Sequence, residues 1–493
     1  MSTLLAFLFS VSAVQDAPAA RWSLDGDAGS GKAYGRVQFV ESPIGGSGQM
    51  LVLNGIDAFV QVDPADGLGA GKGDFTLSLW ICPIELRDAV ILSRGDASKG
   101  WALLLSKDGS IRARFSSGEA LQTEPRRVGL NEWVHLGVTR GSIHVNGRPS
   151  AQGAVREGDL DPPKAPLRIG RGPEDGKFFC GLIDDVRVYG KALDAAGISR
   201  LAGEGLPSVL PKAHAGTPFG DTFSLERDDV VALAGGENVL AAQESGHLEA
   251  ILSSSSAGKR VLFRSLSWEG DTVHEQPRPL NFGSWRDQLS RAGASVIFAQ
   301  YGQVEALEGK AGLERFTAAY DRLLGEFSNA TRRIVVVSPF PYEKPAAPRP
   351  DLSTRNEDLR LYVESIRAIA ANRSLVFVDL FEARFDGPVT RDGLHLSVAG
   401  HETVAREIAR RLGVVPKGDL EPLRLAIRKK NRLWLDTWRP LNWAFLNGDR
   451  IEQPSSRDHV DKRVRWFPVE VQQRLALLRR EEAAIEKLLG AGR

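Results

Sequence analysis

The sequence predicts a two-part fold: an antiparallel β-sandwich, then a doubly wound α/β sheet with a helical extension. Three observations carry this. The chain has 493 residues, too long for one hydrophobic core. Residues 21–205 read as short strands punctuated by Gly, Asp and Asn, with almost no helical period. Residues 220–413 alternate apolar strands with helical stretches, the pattern of a parallel sheet.

The first 20 residues stand apart. Leu4 to Val14 is an apolar run of leader length, and Val11-Ser12-Ala13 or Ala17-Pro18-Ala19 suits cleavage. No Lys or Arg precedes the run, and it is too short to span a bilayer as a helix. A secreted or periplasmic protein without a transmembrane helix is expected. Lys plus Arg total 63 and Asp plus Glu 62, a balance that speaks against a nucleic-acid partner.

In the first part, Leu51–Asn54 and Ala58–Val62 flank Gly55 as a hairpin would. Phe75–Trp80 alternates apolar and polar residues, as a half-buried strand does. Trp101–Leu105 and Ile111–Phe115 are joined through Asp108-Gly109, which favours a hairpin turn. Trp133–Val138 and Ser142–Val145 follow, the latter ending in Asn146-Gly147. The only cysteines are Cys82 and Cys180. In an exported domain they predict a disulfide, set against two unrelated buried thiols. Closing so long a loop would stabilise by up to ~4–5 kcal/mol in the chain-entropy model.

The blocks "LVLNGIDAFVQV", "DFTLSLWICP", "NEWVHLGVTRGSIHVNGR" and "CGLIDDVRVYGKALDAAGI" together resemble the laminin-G-like, concanavalin A-like jelly-roll domains. The resemblance implies binding of carbohydrate, a cell-surface polymer or protein, in some members through calcium. Asp184 and Asp185 are the calcium candidates, against the commoner role of capping or bridging strand ends. No other metal or cofactor is expected.

In the second part, strands are predicted at Val230–Ala234, Val261–Leu266, Ser295–Ala299, Arg333–Ser338 and Leu375–Asp379. A helix is predicted at about Val239–Leu252, and another carries Leu359, Val363, Ile366 and Ala370 on one face. Ligands bind such sheets at the carboxyl ends of the strands. The loops there resemble the SGNH (GDSL) hydrolases block by block. Leu266-Ser267-Trp268-Glu269-Gly270-Asp271-Thr272-Val273 is similar to the family's glycine block, which makes Gly270 the oxyanion-hole glycine. Asp392-Gly393-Leu394-His395-Leu396-Ser397 is similar to its closing block, in which Asp392 orients the base His395.

Two positions depart from the family. The nucleophile block reads Gly235-Gly236-Glu237-Asn238, with Glu237 where the serine stands. A carboxylate has no hydroxyl for a histidine to deprotonate. Tyr301-Gly302-Gln303-Val304-Glu305 occupies the place of Gly-x-Asn-Asp/Glu, with Val304 for the oxyanion-hole Asn. Losing one such donor costs ~2.7–4 kcal/mol of transition-state stabilisation. Gly236, Asn238, Gly302, Gln303 and Glu305 are expected to bind substrate. Glu237 with His395 reads either as an ion pair in a dead site or as a base for water. Ser267 reads as an ordinary turn serine, with the role of substitute nucleophile as the alternative.

Residues 416–493 gather Trp434, Trp438, Trp443 and Phe445, which read as an anchor onto the preceding domain or a ligand-site wall. Glu470–Leu489 is an amphipathic helix that docks on the body or pairs chains into an oligomer. The "KNRLWLDTWRP" segment resembles the extension after SGNH domains in exported planctomycete-type proteins. Two functions compete: a non-catalytic glycan-directed protein with an impaired esterase domain, and an active carbohydrate esterase or deacetylase targeted by its sandwich.

Overall fold

The computed structural model describes residues 17–46, 48–63, 73–95, 99–115, 120–153, 165–173, 177–209, 216–219, 222–453, 457–459 and 461–491. The expected leader lies almost wholly outside the described residues. The chain divides into two compact units, one holding residues up to Val40 with Gly48–Glu204, the other Glu41–Ser47 with Gly205–Arg493.

The first unit is a β-sandwich of an eight-stranded and a seven-stranded antiparallel sheet. Alternate residues of both sheets, among them Leu79, Ile81, Leu103, Leu136 and Ile183, fill the space between them. Asn146 and Gly147 both take positive φ (52° and 76°). That is the two-residue turn that matches strand twist, and it joins Ser142–Val145 to Arg148–Gln152. Trp101–Leu105 pairs with Ile111–Phe115, as Asp108-Gly109 predicts. The strand Ala89–Gly95 escapes the sequence pattern because all seven of its residues are buried, which erases the period of two.

Two expectations are corrected here. Gln49–Asn54 and Phe59–Val62 are not a hairpin: they belong to different sheets. Asn54 Oδ1 accepts from the backbone N–H of Ile56, Asp57 and Ala58 at 2.9, 3.1 and 3.1 Å, so the turn crosses the sandwich instead of folding back. No disulfide joins Cys82 to Cys180, and both are buried. Cys82 stands opposite Leu182, while Cys180 stands opposite Asn54. The cysteines are therefore diagonal neighbours, about 7–8 Å apart, past the roughly 4.4–6.8 Å that a disulfide spans. Burial, aided by the nearby Glu132 charge, pushes the Cys82 thiol up and keeps it protonated.

Asp185 bridges strand ends. Its carboxylate takes Arg21 at 2.7 Å and both Arg187 Nε and Nη2, at 3.0 and 2.5 Å. Among the described residues no group of three or more His, Cys, Asp or Glu could hold a metal ion.

The second unit centres on five parallel strands, Val230–Gly235, Leu262–Ser265, Val296–Gln300, Ile334–Val337 and Val376–Val378, within a residue or two of the predicted limits. Their spatial order is second, first, third, fourth, fifth. The direction of the winding reverses between the first and third strands, where ligands bind in such sheets. The helix predicted at 239–252 is two helices, Glu237–Ser245 and His247–Ser255, broken at the left-handed Gly246.

The C-terminal helices Glu421–Trp438 and Phe467–Ala491 pack on this unit. Trp434 Nε1 donates to the Ser265 carbonyl at 2.8 Å, and Phe282 packs against Trp268, Trp438 and Trp443. The tryptophans are thus an anchor. Beneath them Lys430, buried, pairs with Glu249 at 2.7 Å, and Arg264 with Glu482 at 2.5 Å. Among the described residues no helix is long and apolar enough to cross a membrane.

Candidate active site

At the switch point the loops after the first and third strands meet the closing block. The Glu237–Ser245 helix starts directly after the first strand, so Glu237 occupies its first turn, exposed, with Gly236 as the cap. Asn238, next in line, ties three loops together. Its Nδ2 donates to Gln303 Oε1 and to the Leu394 carbonyl, both at 3.0 Å, and its Oδ1 accepts from Leu396 N at 2.9 Å. Gln303 in turn donates to the Phe340 carbonyl at 3.3 Å and takes the Tyr342 hydroxyl on its own carbonyl.

Asp392 holds His395. Oδ2 lies 2.9 Å from His395 Nδ1, and Oδ1 accepts from the backbone N–H of His395 at 2.7 Å and Leu394 at 3.1 Å. Desolvation raises the Asp392 pKa, but these bonds outweigh it and bring it down to about 2. The fourth loop braces this block. Glu343 accepts from Val389 N at 2.9 Å and Thr390 N at 2.8 Å. Gly393 (φ +90°) runs so close that a Cβ would lie 2.5 Å from the Glu343 carbonyl oxygen, so only glycine fits.

Glu305 is 5% exposed and serves the loops. Its oxygens accept from Val273 N and Gly302 N, both at 2.9 Å. Burial raises its pKa against these bonds. Asp271 is equally buried and binds Arg278 by two bonds, at 2.7 and 2.8 Å. Desolvation still raises its pKa. Arg278 lies over the rings of Trp268 and Trp285.

These residues enclose a cleft of about 50 Å³ lined by residues 236–239, Asp271, residues 300–305, Leu394 and His395. A larger cavity, about 150 Å³, lies around Lys430, at the other end of the second strand, and has no such chemistry. Glu237, Asn238, Gly236, Gly302, Gln303, Val304, Glu305 and His395 are brought together as the motifs imply, with Asp392 behind His395. Gly270 is exposed, with φ +76°, and does not line the cleft; its neighbour Asp271 does. Among the described residues no hydrogen bond or ion pair joins Glu237 to His395. The ion-pair reading is therefore corrected: Glu237 sits at an exposed helix start and His395 is engaged by Asp392. Ser267 is buried and donates to the Leu233 carbonyl at 3.2 Å, a structural bond. Gln300 and Arg278 are the residues that motif reading missed; nothing local to Arg278 marks it as the partner of Asp271.

Residues 232–403 match the GDSL-like lipase/acylhydrolase family, and residues 54–199 match the concanavalin A-like lectin/glucanases superfamily. The chain joins a concanavalin A-like domain to a GDSL-like domain. Glu237, Gly270, Val304, Asp392 and His395 all lie within the stretch matched to the GDSL-like family. No curated protein sequence matches the chain.

Solved structures similar to it include domain 4 of AbnA, a GH43 extracellular arabinanase from Geobacillus stearothermophilus, in complex with arabinotriose. That likeness is 21% identical with a TM-score of 0.30, covering 38% of this chain and 98% of that one. The binding domain of Paraclostridial Mosquitocidal Protein 1 is 17% identical (TM-score 0.32), covering 37% of this chain and 49% of that one. A structure of botulinum neurotoxin type C is 17% identical (TM-score 0.30), covering 37% and 48%.

Proposed function

We propose that this is an exported, carbohydrate-directed protein. Its sandwich holds a glycan, and its GDSL-like domain binds an ester or acetylated sugar without forming an acyl-enzyme. One observation carries the reading: no Ser, Thr or Cys lines the described cleft, although His395 and Asp392 are in place there. The only hydroxyl-bearing residue among those lining it is Tyr301, whose hydroxyl is buried, and burial together with the Asp271 charge holds that phenol well above its ordinary pKa. Val304, 54% exposed, stands where a donor to the developing oxyanion is needed and offers none. Carbohydrate as the partner is supported by the lectin/glucanase description of the sandwich's family. Export is supported by the apolar run at Leu4–Val14.

A second reading, hydrolysis by an activated water, is favoured by the oriented dyad. Asp392 occupies Nδ1 of His395, and no described protein group bonds Nε2. Hydrolysis of p-nitrophenyl acetate and acetylated xylan by the purified protein, beside Glu237→Ala and His395→Ala, separates the two. The first reading expects rates equal to those of His395→Ala, with saturable calorimetric binding of acetylated xylo-oligosaccharides. Turnover abolished by His395→Ala would overturn it in favour of the second.

A further inference from the structure

Beside the cleft, between the parallel sheet and the helices Glu237–Ser245 and Val398–Arg411, lies a further cavity of about 40 Å³. It shares Asn238, Val239 and Gln300 with the cleft, so the two adjoin. The strands show where the space is. Leu233, Phe298 and Val337 line it and are 7, 4 and 3% exposed. Val231, Val296 and Val335, two residues earlier on the same face, are each 0% exposed. Packing is therefore complete toward the amino ends of the strands and opens toward their carboxyl ends, on the side of the cleft. The helices leave the gap because they place Ala242 and Ala405 against it.

The walls suit hydrocarbon. Val239, Leu248, Leu396, Val404 and Ile408 complete them. The polar groups present are spent or uncharged. Asn238 is held by Gln303, Leu394 and Leu396. Gln300 Nε2 donates to the Ser338 carbonyl at 3.1 Å, and Ser245 donates to the Ala242 carbonyl at 2.8 Å. Burial brings the His401 pKa down to about 4, so its ring is neutral near pH 7. His401 Nδ1 is buried with no hydrogen-bond partner among the described residues, which marks space that protein atoms leave unfilled. A single water needs ~10–15 Å³ of such space, so the cavity takes about three waters, or about three methylene or methyl groups.

We propose that this cavity takes the acyl chain of the ester bound in the cleft, and that the chain is a short aliphatic one of about four carbons. The ester carbonyl stays in the cleft, and the carbons beyond it fill the cavity. The inference rests on the cleft binding an ester and names the acyl group. An acetyl group leaves most of the space empty, and a long chain exceeds it.

Calorimetry of the full protein with the monoacetyl, monobutyryl and monodecanoyl esters of methyl xyloside tests it. Each methylene moved out of water is worth about fourfold in affinity, so the butyryl ester should bind about tenfold more tightly than the acetyl ester. The decanoyl ester should bind no more tightly than the butyryl ester. If the esters are turned over, the same order is read from kcat/KM. Ala405→Leu fills the cavity and should bring the butyryl ester down to the acetyl ester's affinity. Ala242→Leu, on another wall, makes the same test if Ala405→Leu fails to fold. Equal binding of acetyl and butyryl esters by the wild type would overturn the inference and leave the ester-binding reading standing. A butyryl advantage that survives in the filled variant would overturn it by placing the chain elsewhere. A decanoyl ester that keeps gaining with every methylene would overturn it in favour of an open apolar surface. Binding of none of the three esters would overturn both readings.

Discussion

Asp392 grips His395 at two points: Oδ2 stands 2.9 Å from Nδ1, and Oδ1 accepts the His395 backbone N–H at 2.7 Å. A short Asp-Gly-Leu-His turn thus fixes ring orientation and backbone together. His395, so held, faces a cleft that no Ser, Thr or Cys lines among the described residues.

Asp392 should make stability fall at acid pH. Its folded pKa of about 2 lies below the ordinary 3.8. The contribution is therefore complete above about pH 4 and is lost as pH falls from about 4 to about 2. Urea unfolding of the wild type and Asp392→Asn should show a stability gap that is constant above pH 4 and closes toward pH 2. A gap that does not change with pH would contradict it.

Asn238 should be structural as well as part of the cleft wall. Asn238→Ala removes bonds to Gln303, Leu394 and Leu396. At ~1 kcal/mol each, the loss should be about 2–4 kcal/mol. Chemical denaturation reads it directly, and a loss below about 0.5 kcal/mol would mean that water replaces all three bonds.

Val304 should limit any rebuilt esterase. Glu237→Ser alone supplies a hydroxyl but no side-chain donor for an oxyanion at residue 304. Adding Val304→Asn should raise kcat for p-nitrophenyl acetate about 10²–10³-fold over Glu237→Ser. Equal rates for the single and double variants would show that residue 304 does not face the oxyanion.

Lys430 should be costly to remove singly. It is 1% exposed and pairs with Glu249. Burial is the largest influence on its pKa and lowers it, while Glu249 opposes the shift. Lys430→Ala leaves the buried Glu249 carboxylate without its cation, held by Asn431 Nδ2 at 3.0 Å, and should destabilise by about 3–5 kcal/mol. Lys430→Met with Glu249→Leu should recover most of that in the same urea titration.

The sequence by itself determined the two sheet types, the five parallel strands and the positions of Glu237, Val304, Asp392 and His395. These are legible because side-chain period, turn chemistry and short motifs act over a few residues. Asn146-Gly147 and Asp108-Gly109 mark their hairpins for that reason. Tertiary structure alone decided that Asn54 sends the chain across the sandwich, that Cys82 and Cys180 stand diagonal instead of opposed, and that Glu305 spends both oxygens on loop amides. Each of these depends on which distant strand lies alongside which. That choice is made by burial of the whole core, and no local pattern of residues encodes it.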